Sequence, residues 1–185
     1  MKRHIFVFVA LLFISCDAPK TDRASNTDEY LIPATAEEIL KNVKNADARV
    51  VLVNVWATWC QPCVEEFPDL MAVYQQYKEQ GVKLVFISAD FEGQADGAIA
   101  FLKAQGVDFP SYLKLRSDRA FINTLDPNWS GAIPATWLYD SEGNKRYFWL
   151  GKTSHEQFEK QIRDVLMEGD QQSGLHTPLK ARGET

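Results

Sequence analysis

The chain contains 185 residues, of which 45% are hydrophobic and 24% charged, so its composition excludes a generally disordered protein or a coiled coil. Lysine and arginine together number 20 and aspartate and glutamate 25, a net charge of -5 without a basic run, so nucleic acid is not an expected partner. The 3 cysteines, at positions 16, 60 and 63, are too few for a fold held together by disulfide bonds.

The N-terminus has the pattern of an export signal. Basic residues near the start precede an uninterrupted apolar stretch from Ile5 to Ile14. An apolar helix of this length spans about 15 Å, roughly half of a bilayer core, and no second apolar stretch follows. The stretch leads to Cys16 in a pattern that resembles a bacterial lipoprotein signal, although Phe13 stands where leucine is usual. We therefore predict a signal peptide over residues 1–15 and lipidation of Cys16, with ordinary cleavage or an uncleaved anchor as the alternatives.

Polar segments lie on both sides of the central part of the chain. Residues 16–30 contain little that a core would bury and are predicted to be a flexible tether, and residues 169–185 a flexible tail. The lipid would hold the protein on the extracytoplasmic, periplasmic side of a bacterial membrane. Residues 31–168 are predicted to form one domain, and nothing in the sequence demands more than a monomer.

Helical and extended patterns alternate through residues 31–168. The first predicted element is a helix capped by Thr35, with Ile39, Leu40 and Val43 on its apolar face. A strand over 49–55, a helix after Cys63 that ends at Gly81 and a strand over 83–88 follow. The remaining predicted elements are helices over 95–105 and 118–125, strands over 135–139 and 145–150, and a helix that starts at Thr153 or Ser154. This order predicts an α/β fold with a central mixed sheet, parallel crossovers and an antiparallel edge.

Two cysteines stand where a predicted strand meets a predicted helix. Cys60 falls near the helix N-terminus, where free N–H groups and the helix dipole favour a thiolate. Cys63 lies one turn later, within reach for a disulfide, and Pro62 suits the first helical turn. Zinc would need further ligands that the chain does not supply, and a structural disulfide would close almost no loop. A redox pair is favoured, with no metal and no cofactor.

The residues around these cysteines resemble a known family. Residues 54–68, with the sequence Asn-Val-Trp-Ala-Thr-Trp-Cys-Gln-Pro-Cys-Val-Glu-Glu-Phe-Pro, look like the active-site segment of TlpA/ResA-type thioredoxin-like proteins. Residues 83–90 and 131–136 extend the resemblance, the latter as a cis-proline loop. The resemblance implies a thioredoxin-like fold, Cys60 as the attacking thiol, Cys63 as the resolving thiol, and a cis Ile133–Pro134 bond beside them.

Further roles at the site follow from the same segments. Classical thioredoxins carry an aspartate six residues before the first cysteine, but Asn54 stands here and cannot exchange a proton. Glu66 matches an acid that the resembled family carries near the thiols, and partial burial would raise its pKa into a useful range; the alternative is a solvated surface residue. Glu65 is interpreted as a surface residue.

Substrate contacts are predicted from residues that neighbour the cysteines and the proline. The backbone beside Ile133 would pair with an extended substrate segment. Trp59 is expected near the site and Trp56 in the core. Because Gln61 is neutral, the dipeptide between the cysteines adds no charge to the thiolate. We assign substrate binding to Trp59, Gln61, Pro62 and Ile133, and catalysis to Cys60, Cys63, Glu66 and Pro134.

The predicted function is that of a membrane-tethered thiol–disulfide oxidoreductase. Its partners would be protein disulfides or thiols, with a membrane thiol donor upstream, and the resemblance favours a reductase that acts on substrates such as apocytochrome c. An oxidant or isomerase would use the same residues. A peroxidase, and a non-catalytic module that binds copper or a substrate, remain as readings from other classes.

Overall fold

A computed structural model of the protein describes residues 30–115 and 118–174. The predicted signal peptide, Cys16 and nearly all of the tether lie outside these residues. No helix within the two described ranges is both long enough and apolar enough to cross a bilayer.

In the part of the chain that the structure describes, six strands form one mixed sheet in the order β1-β4-β3-β2-β5-β6. The strands are β1 (Leu31–Ala34), β2 (Val50–Trp56), β3 (Val82–Ser88), β4 (Ser111–Lys114), β5 (Ala135–Asp140) and β6 (Lys145–Leu150). Strands β1 to β4 are mutually parallel, whereas β5 runs antiparallel to both β2 and β6. The predicted mixed sheet, with parallel crossovers and an antiparallel edge, is confirmed.

Within the described residues, five α-helices lie on the two faces of the sheet. They are α1 (Ala36–Lys44), α2 (Gln61–Tyr77), α3 (Ala95–Ala104), α4 (Asp118–Leu125) and α5 (His155–Gly174). Side chains of β2 alternate between two buried clusters, so that Val50 and Leu52 pack with α2, α3 and α5, and Val51 and Val53 with α1 and α4. All seven residues of β2 are buried, because helices lie on both sides of it.

Local signals in the sequence define several helix ends. Thr35 caps α1 by accepting a hydrogen bond from the Glu38 backbone N–H, and the Glu38 carboxylate accepts one from the Thr35 N–H in return. After α2 and a short 3-10 turn, Gly81 adopts φ 89°, and a Cβ there would lie 2.9 Å from Arg49 Cγ. A residue with a side chain is therefore disfavoured at position 81.

Sequence analysis missed strands β1 and β4 and placed the end of the last helix too early. Each strand has four residues, and the two pair mainly with each other at the edge of the sheet. Pairing rather than an apolar run defines them, so neither has a strong local signal. Residues 169–174 belong to α5 rather than to the predicted tail, although their polar composition carries no helical periodicity.

Candidate active site

The predicted site lies at the carboxyl ends of strands β2 and β3, which are central in the sheet; this end of the strands is called the sheet edge that leads to Cys60. They are parallel and in register, with Trp56 opposite Ser88, so the loops that follow them lie side by side. The Ala89 N–H donates a hydrogen bond to the Trp56 carbonyl at 2.7 Å and holds the two loops together at their start. The first loop leads directly to Cys60, the N-cap residue of α2.

Cys60 and Cys63 form a disulfide bond, with their Cα atoms 5.2 Å apart. Cys60 is 6% exposed and Cys63 2%, so both are largely buried and Cys60 is the more exposed of the two. When the bond is reduced, the free N–H groups of the first turn of α2 favour the thiolate of Cys60. The arrangement suits an outer sulfur that meets a partner and an inner sulfur that completes the exchange.

The Ile133–Pro134 peptide bond is cis, as predicted. The Pro134 carbonyl accepts a hydrogen bond from the Gly151 N–H at 2.8 Å, which ties this loop to the end of β6. Gly131 precedes it with φ 89°, and a Cβ there would lie 2.5 Å from Ile122 Cδ1. Only glycine fits at position 131 without displacing Ile122.

Asp126, a buried carboxylate that sequence analysis missed, is connected to the proline loop through two tryptophans. Asp126 is 3% exposed and accepts hydrogen bonds from Trp137 Nε1 at 2.9 Å and Lys145 Nζ at 2.6 Å. Burial alone would raise the pKa of Asp126, but these two donors, the Asn128 N–H and the charge of Lys145 together outweigh it and hold the pKa below its usual range. Trp129 stacks edge-to-face on Trp137 and donates to the Ala132 carbonyl at 2.8 Å, which links Asp126 to the loop before Pro134.

Glu66 lies buried between α2 and the sheet, which excludes the solvated alternative. It is 1% exposed, and its two oxygens accept hydrogen bonds from Asn54 Nδ2 at 3.1 Å and from the Thr153 N–H at 2.6 Å. Burial raises the pKa of Glu66 to about 7, against the opposing effect of these two hydrogen bonds. The carboxyl therefore changes protonation near neutral pH, three residues after Cys63 on the same helix.

A second buried carboxylate, also missed, positions the turn that precedes Cys60. Asp90 is 2% exposed and accepts hydrogen bonds from the Thr58 N–H at 3.1 Å and the Thr58 hydroxyl at 2.6 Å. The Ser88 hydroxyl donates to its other oxygen at 2.7 Å. The Ser-Ala-Asp sequence at the end of β3 is a local sign of such a turn, but Thr58, the partner of Asp90, is 32 residues away in the chain.

The two tryptophans of the active-site segment occupy the predicted environments. Trp56 is fully buried and packs edge-to-face on Phe67, with ring centroids 5.2 Å apart. Trp59 is 56% exposed and immediately precedes Cys60. It is therefore available to a partner at the cysteines, whereas Trp56 belongs to the core.

Polar side chains lie on the exposed side of the first turns of α2. Gln61 Nε2 donates to Glu65 at 3.1 Å, and Lys152 forms an ion pair with the same carboxylate at 3.0 Å. Gln61, Pro62 and Glu65 are all exposed, and Ile133 is half-buried. Cys16, the predicted lipidation site, lies outside the described residues.

Comparisons with known proteins agree with this geometry. A model of the Redoxin family matches residues 22–166. Thiol-disulfide oxidoreductase ResA of Bacillus thuringiensis (strain Al Hakam) is 29% identical over 124 residues, which cover 66% of this chain and 67% of that protein. ResA of Bacillus subtilis (strain 168) is 36% identical over 94 residues, 50% of this chain and 48% of that one.

A solved structure resembles the chain over a similar length. The thioredoxin-related protein from Neisseria meningitidis serogroup B aligns with a TM-score of 0.53 and 29% identity, and the alignment covers 69% of this chain and 89% of that one. The resemblance and the thioredoxin-like fold inferred from the sequence are thus confirmed.

Proposed function

Because the chain belongs to the Redoxin family and carries a Cys60–Cys63 pair, it is a thiol-disulfide oxidoreductase, and we propose that it reduces disulfides in other proteins. The observation that carries the proposal is the position of the pair, at the start of α2 and at the sheet edge to which β2 leads. Cys60 is the more exposed of the two, which supports its role as the attacking sulfur.

The reaction consists of two thiol–disulfide exchanges. The Cys60 thiolate attacks one sulfur of the substrate disulfide, that S–S bond breaks, and the departing substrate sulfur takes up a proton. The thiolate of Cys63 then attacks Cys60 Sγ, and the second substrate sulfur leaves and is protonated. The substrate gains two electrons and two protons, and the enzyme keeps the Cys60–Cys63 disulfide. A membrane dithiol donor would restore the reduced pair by the same chemistry.

Glu66 is proposed as the group that takes the proton from Cys63. With a pKa of about 7, it is present in both protonation states near neutral pH, as a general base requires. It stands one helical turn after Cys63 and is buried with it, so proton exchange with bulk water is restricted. Replacement of Glu66 by Gln should therefore change the pH profile of the second exchange.

Substrate contacts are proposed for the residues that surround Cys60. Pro134 would lie beside the sulfurs, and the backbone at Ile133 would pair with an extended substrate segment. The exposed side chains of Trp59, Gln61 and Pro62 would contact residues that flank the substrate cysteine.

We further propose that lipidated Cys16 anchors the protein outside the cytoplasm and that its substrates include apocytochrome c. The export-like N-terminus supports the location, and the TlpA/ResA-type resemblance supports the substrate. The alternative, a thiol oxidant or isomerase, uses the same residues and differs in the redox state that the cell maintains. Alkylation trapping in cells distinguishes the two: a largely reduced Cys60–Cys63 pair supports the reductase, and a largely oxidised pair contradicts it.

The decisive test of the exchange mechanism is the Cys63→Ser variant. It should accumulate a mixed disulfide between Cys60 and a partner protein, visible on a non-reducing gel and released by dithiothreitol. The Cys60→Ser/Cys63→Ser double variant is the matched control and should trap nothing. Absence of the mixed disulfide in the single variant, in the presence of a reducible protein substrate, would contradict the proposal.

A further inference from the structure

A buried amide connects the strand that leads to Cys60 with the helix that begins there. Asn54 is 1% exposed, and its Nδ2 donates hydrogen bonds to Glu66 Oε1 at 3.1 Å and to Thr136 Oγ1 at 2.8 Å. Asn54 Oδ1 has no hydrogen-bond partner among the described residues. The amide thus turns its donor end towards the carboxyl and leaves its acceptor end unsatisfied.

This orientation of the amide suits an ionised Glu66 and not a Glu66 that carries its proton on Oε1. An ionised carboxylate accepts hydrogen bonds and cannot donate one, so it requires Nδ2 on its side. A protonated Glu66 with its proton on Oε1 requires an acceptor, which Asn54 supplies only if its amide rotates by half a turn. The amide orientation and the proton on Glu66 are therefore coupled.

We propose that Asn54 is a positioning residue that sets the protonation of Glu66 through the orientation of its side-chain amide. In the orientation described, Asn54 stabilises the carboxylate and so keeps Glu66 ready to accept a proton. Its importance for catalysis rests on the proposed role of Glu66 in thiol exchange, whereas its effect on Glu66 itself does not.

None of the other described groups around Glu66 could change the proton affinity of Glu66 by reorienting a side-chain hydrogen bond. The Thr153 donor is a backbone N–H and stays in place whatever the side chain. Lys152 lowers and Asp69 raises the pKa of Glu66 through charge alone, and Lys152 is paired with exposed Glu65. Within the described residues, Asn54 is the one side chain that donates a hydrogen bond to this carboxylate.

Thr136 provides a matched control because its hydroxyl serves both orientations. It accepts from Nδ2 in the orientation described, and it would donate to Oδ1 after the half-turn. The Thr136→Val variant loses a contact in both states of Glu66, so the two losses largely cancel in the proton affinity.

The experiment is a carbon-13 NMR titration of the Glu66 carboxyl in the oxidised protein, which requires no thiol exchange. The Asn54→Leu variant removes the donor and should raise the titration midpoint of Glu66 by about one pH unit, a tenfold change in proton affinity. The Thr136→Val variant should shift it by less than a third of that amount. An unchanged midpoint in folded Asn54→Leu would overturn the proposal, as would an equal shift in Thr136→Val.

A second variant keeps the test valid if Asn54→Leu does not fold. Asn54→Asp preserves the shape and replaces the donor by a carboxyl, so the pair should titrate with its upper midpoint raised further, because two negative charges oppose each other. A midpoint at or below that of the unmodified protein would overturn the proposal.

Kinetics then connect the amide to the reaction. The pH midpoint of disulfide exchange should rise in Asn54→Leu but not when the same change is made in the Glu66→Gln background. Equal rises in both backgrounds would assign Asn54 a packing role only. A failure of exchange in every protein, including the unmodified one, would instead contradict the proposed function and leave the NMR result standing.

Discussion

Glu66 and Asp90, at the sheet edge that leads to Cys60, are buried and bound by uncharged donors, whereas Asp170 and Glu168, at the opposite edge, are paired with arginines. Glu66 accepts from an amide and a backbone N–H, and Asp90 from hydroxyls and a backbone N–H. At the other edge, Arg49 pairs with Asp170 and Arg146 with Glu168, all with exposed side chains or nearly so. Neutral donors leave the proton affinity of a buried acid adjustable, whereas a fixed cation would hold it ionised. Glu66, the acid proposed to exchange a proton with Cys63, is thus bound directly by neutral donors and not by a cation.

Among the variants that compare the two edges, Cys60→Ser should have the largest effect, a loss of activity. Because serine does not attack disulfides at neutral pH, the variant should lose all measurable reductase activity towards a model protein disulfide. Arg146→Gln, at the opposite edge, is the control and should retain full activity. Insulin reduction followed by turbidity measures both, and residual turnover in Cys60→Ser would contradict the assignment of the attacking sulfur.

Glu66→Gln tests the adjustable acid through stability. Since the folded-state pKa of about 7 exceeds the ordinary glutamate pKa of 4.5, the folded protein binds the proton more tightly, and its stability falls as pH rises from about 4.5 through 7. The variant lacks this loss, so its free energy of unfolding relative to the unmodified protein should increase by about 3 kcal/mol between pH 4.5 and pH 8.5.

Urea unfolding at the two pH values measures this difference. Glu65→Gln is the adjacent control, since Glu65 is exposed and its pKa is lowered rather than raised, and it should not reproduce the gain. A pH-independent difference between Glu66→Gln and the unmodified protein would mean that Glu66 is not the titrating group.

Thr58→Val tests the support beneath the turn before Cys60. The hydroxyl donates to a buried carboxylate at 2.6 Å, and its loss should lower the free energy of unfolding by about 1.5–3 kcal/mol. Thr124→Val removes a hydroxyl whose contact with exposed Glu37 is 3.5 Å long, and should change stability by less than about 0.5 kcal/mol. Denaturant unfolding measures both variants, and similar losses of stability would contradict a stabilising role for the hydrogen bond between Thr58 and Asp90.

Arg146→Gln should have the smallest effect. Its nearer partner Glu168 is solvent-accessible and Asp140 is half-buried at 3.6 Å, and an ion pair in such a position contributes about 0–1 kcal/mol and is screened by salt. The expected loss of stability is within this range and should shrink further in 1 M sodium chloride. A loss of more than about 3 kcal/mol in the free energy of unfolding would contradict the view that the arginine ion pairs contribute little because they are accessible to solvent.

Sequence analysis predicted the parts of the site that local chemistry determines. The cysteine spacing, the helix start at Cys60 and the Ile133-Pro134 pattern each lie within a short segment, so they could be identified without knowledge of the fold. Asp90 and Asp126 were missed because their partners are distant in the chain: Thr58 is 32 residues from Asp90, and Lys145 is 19 residues from Asp126. Strands β1 and β4 were missed for the same reason, since each is defined by its neighbour.

The direction of β1 places the start of the sheet far from the cysteines. Because β1 to β4 are parallel, Leu31 enters the sheet at the edge opposite to the one where β2 delivers Cys60. Seven residues of extended strand separate those edges by roughly 23 Å. The chain thus enters the domain at the end of the strands that lies away from the cysteines.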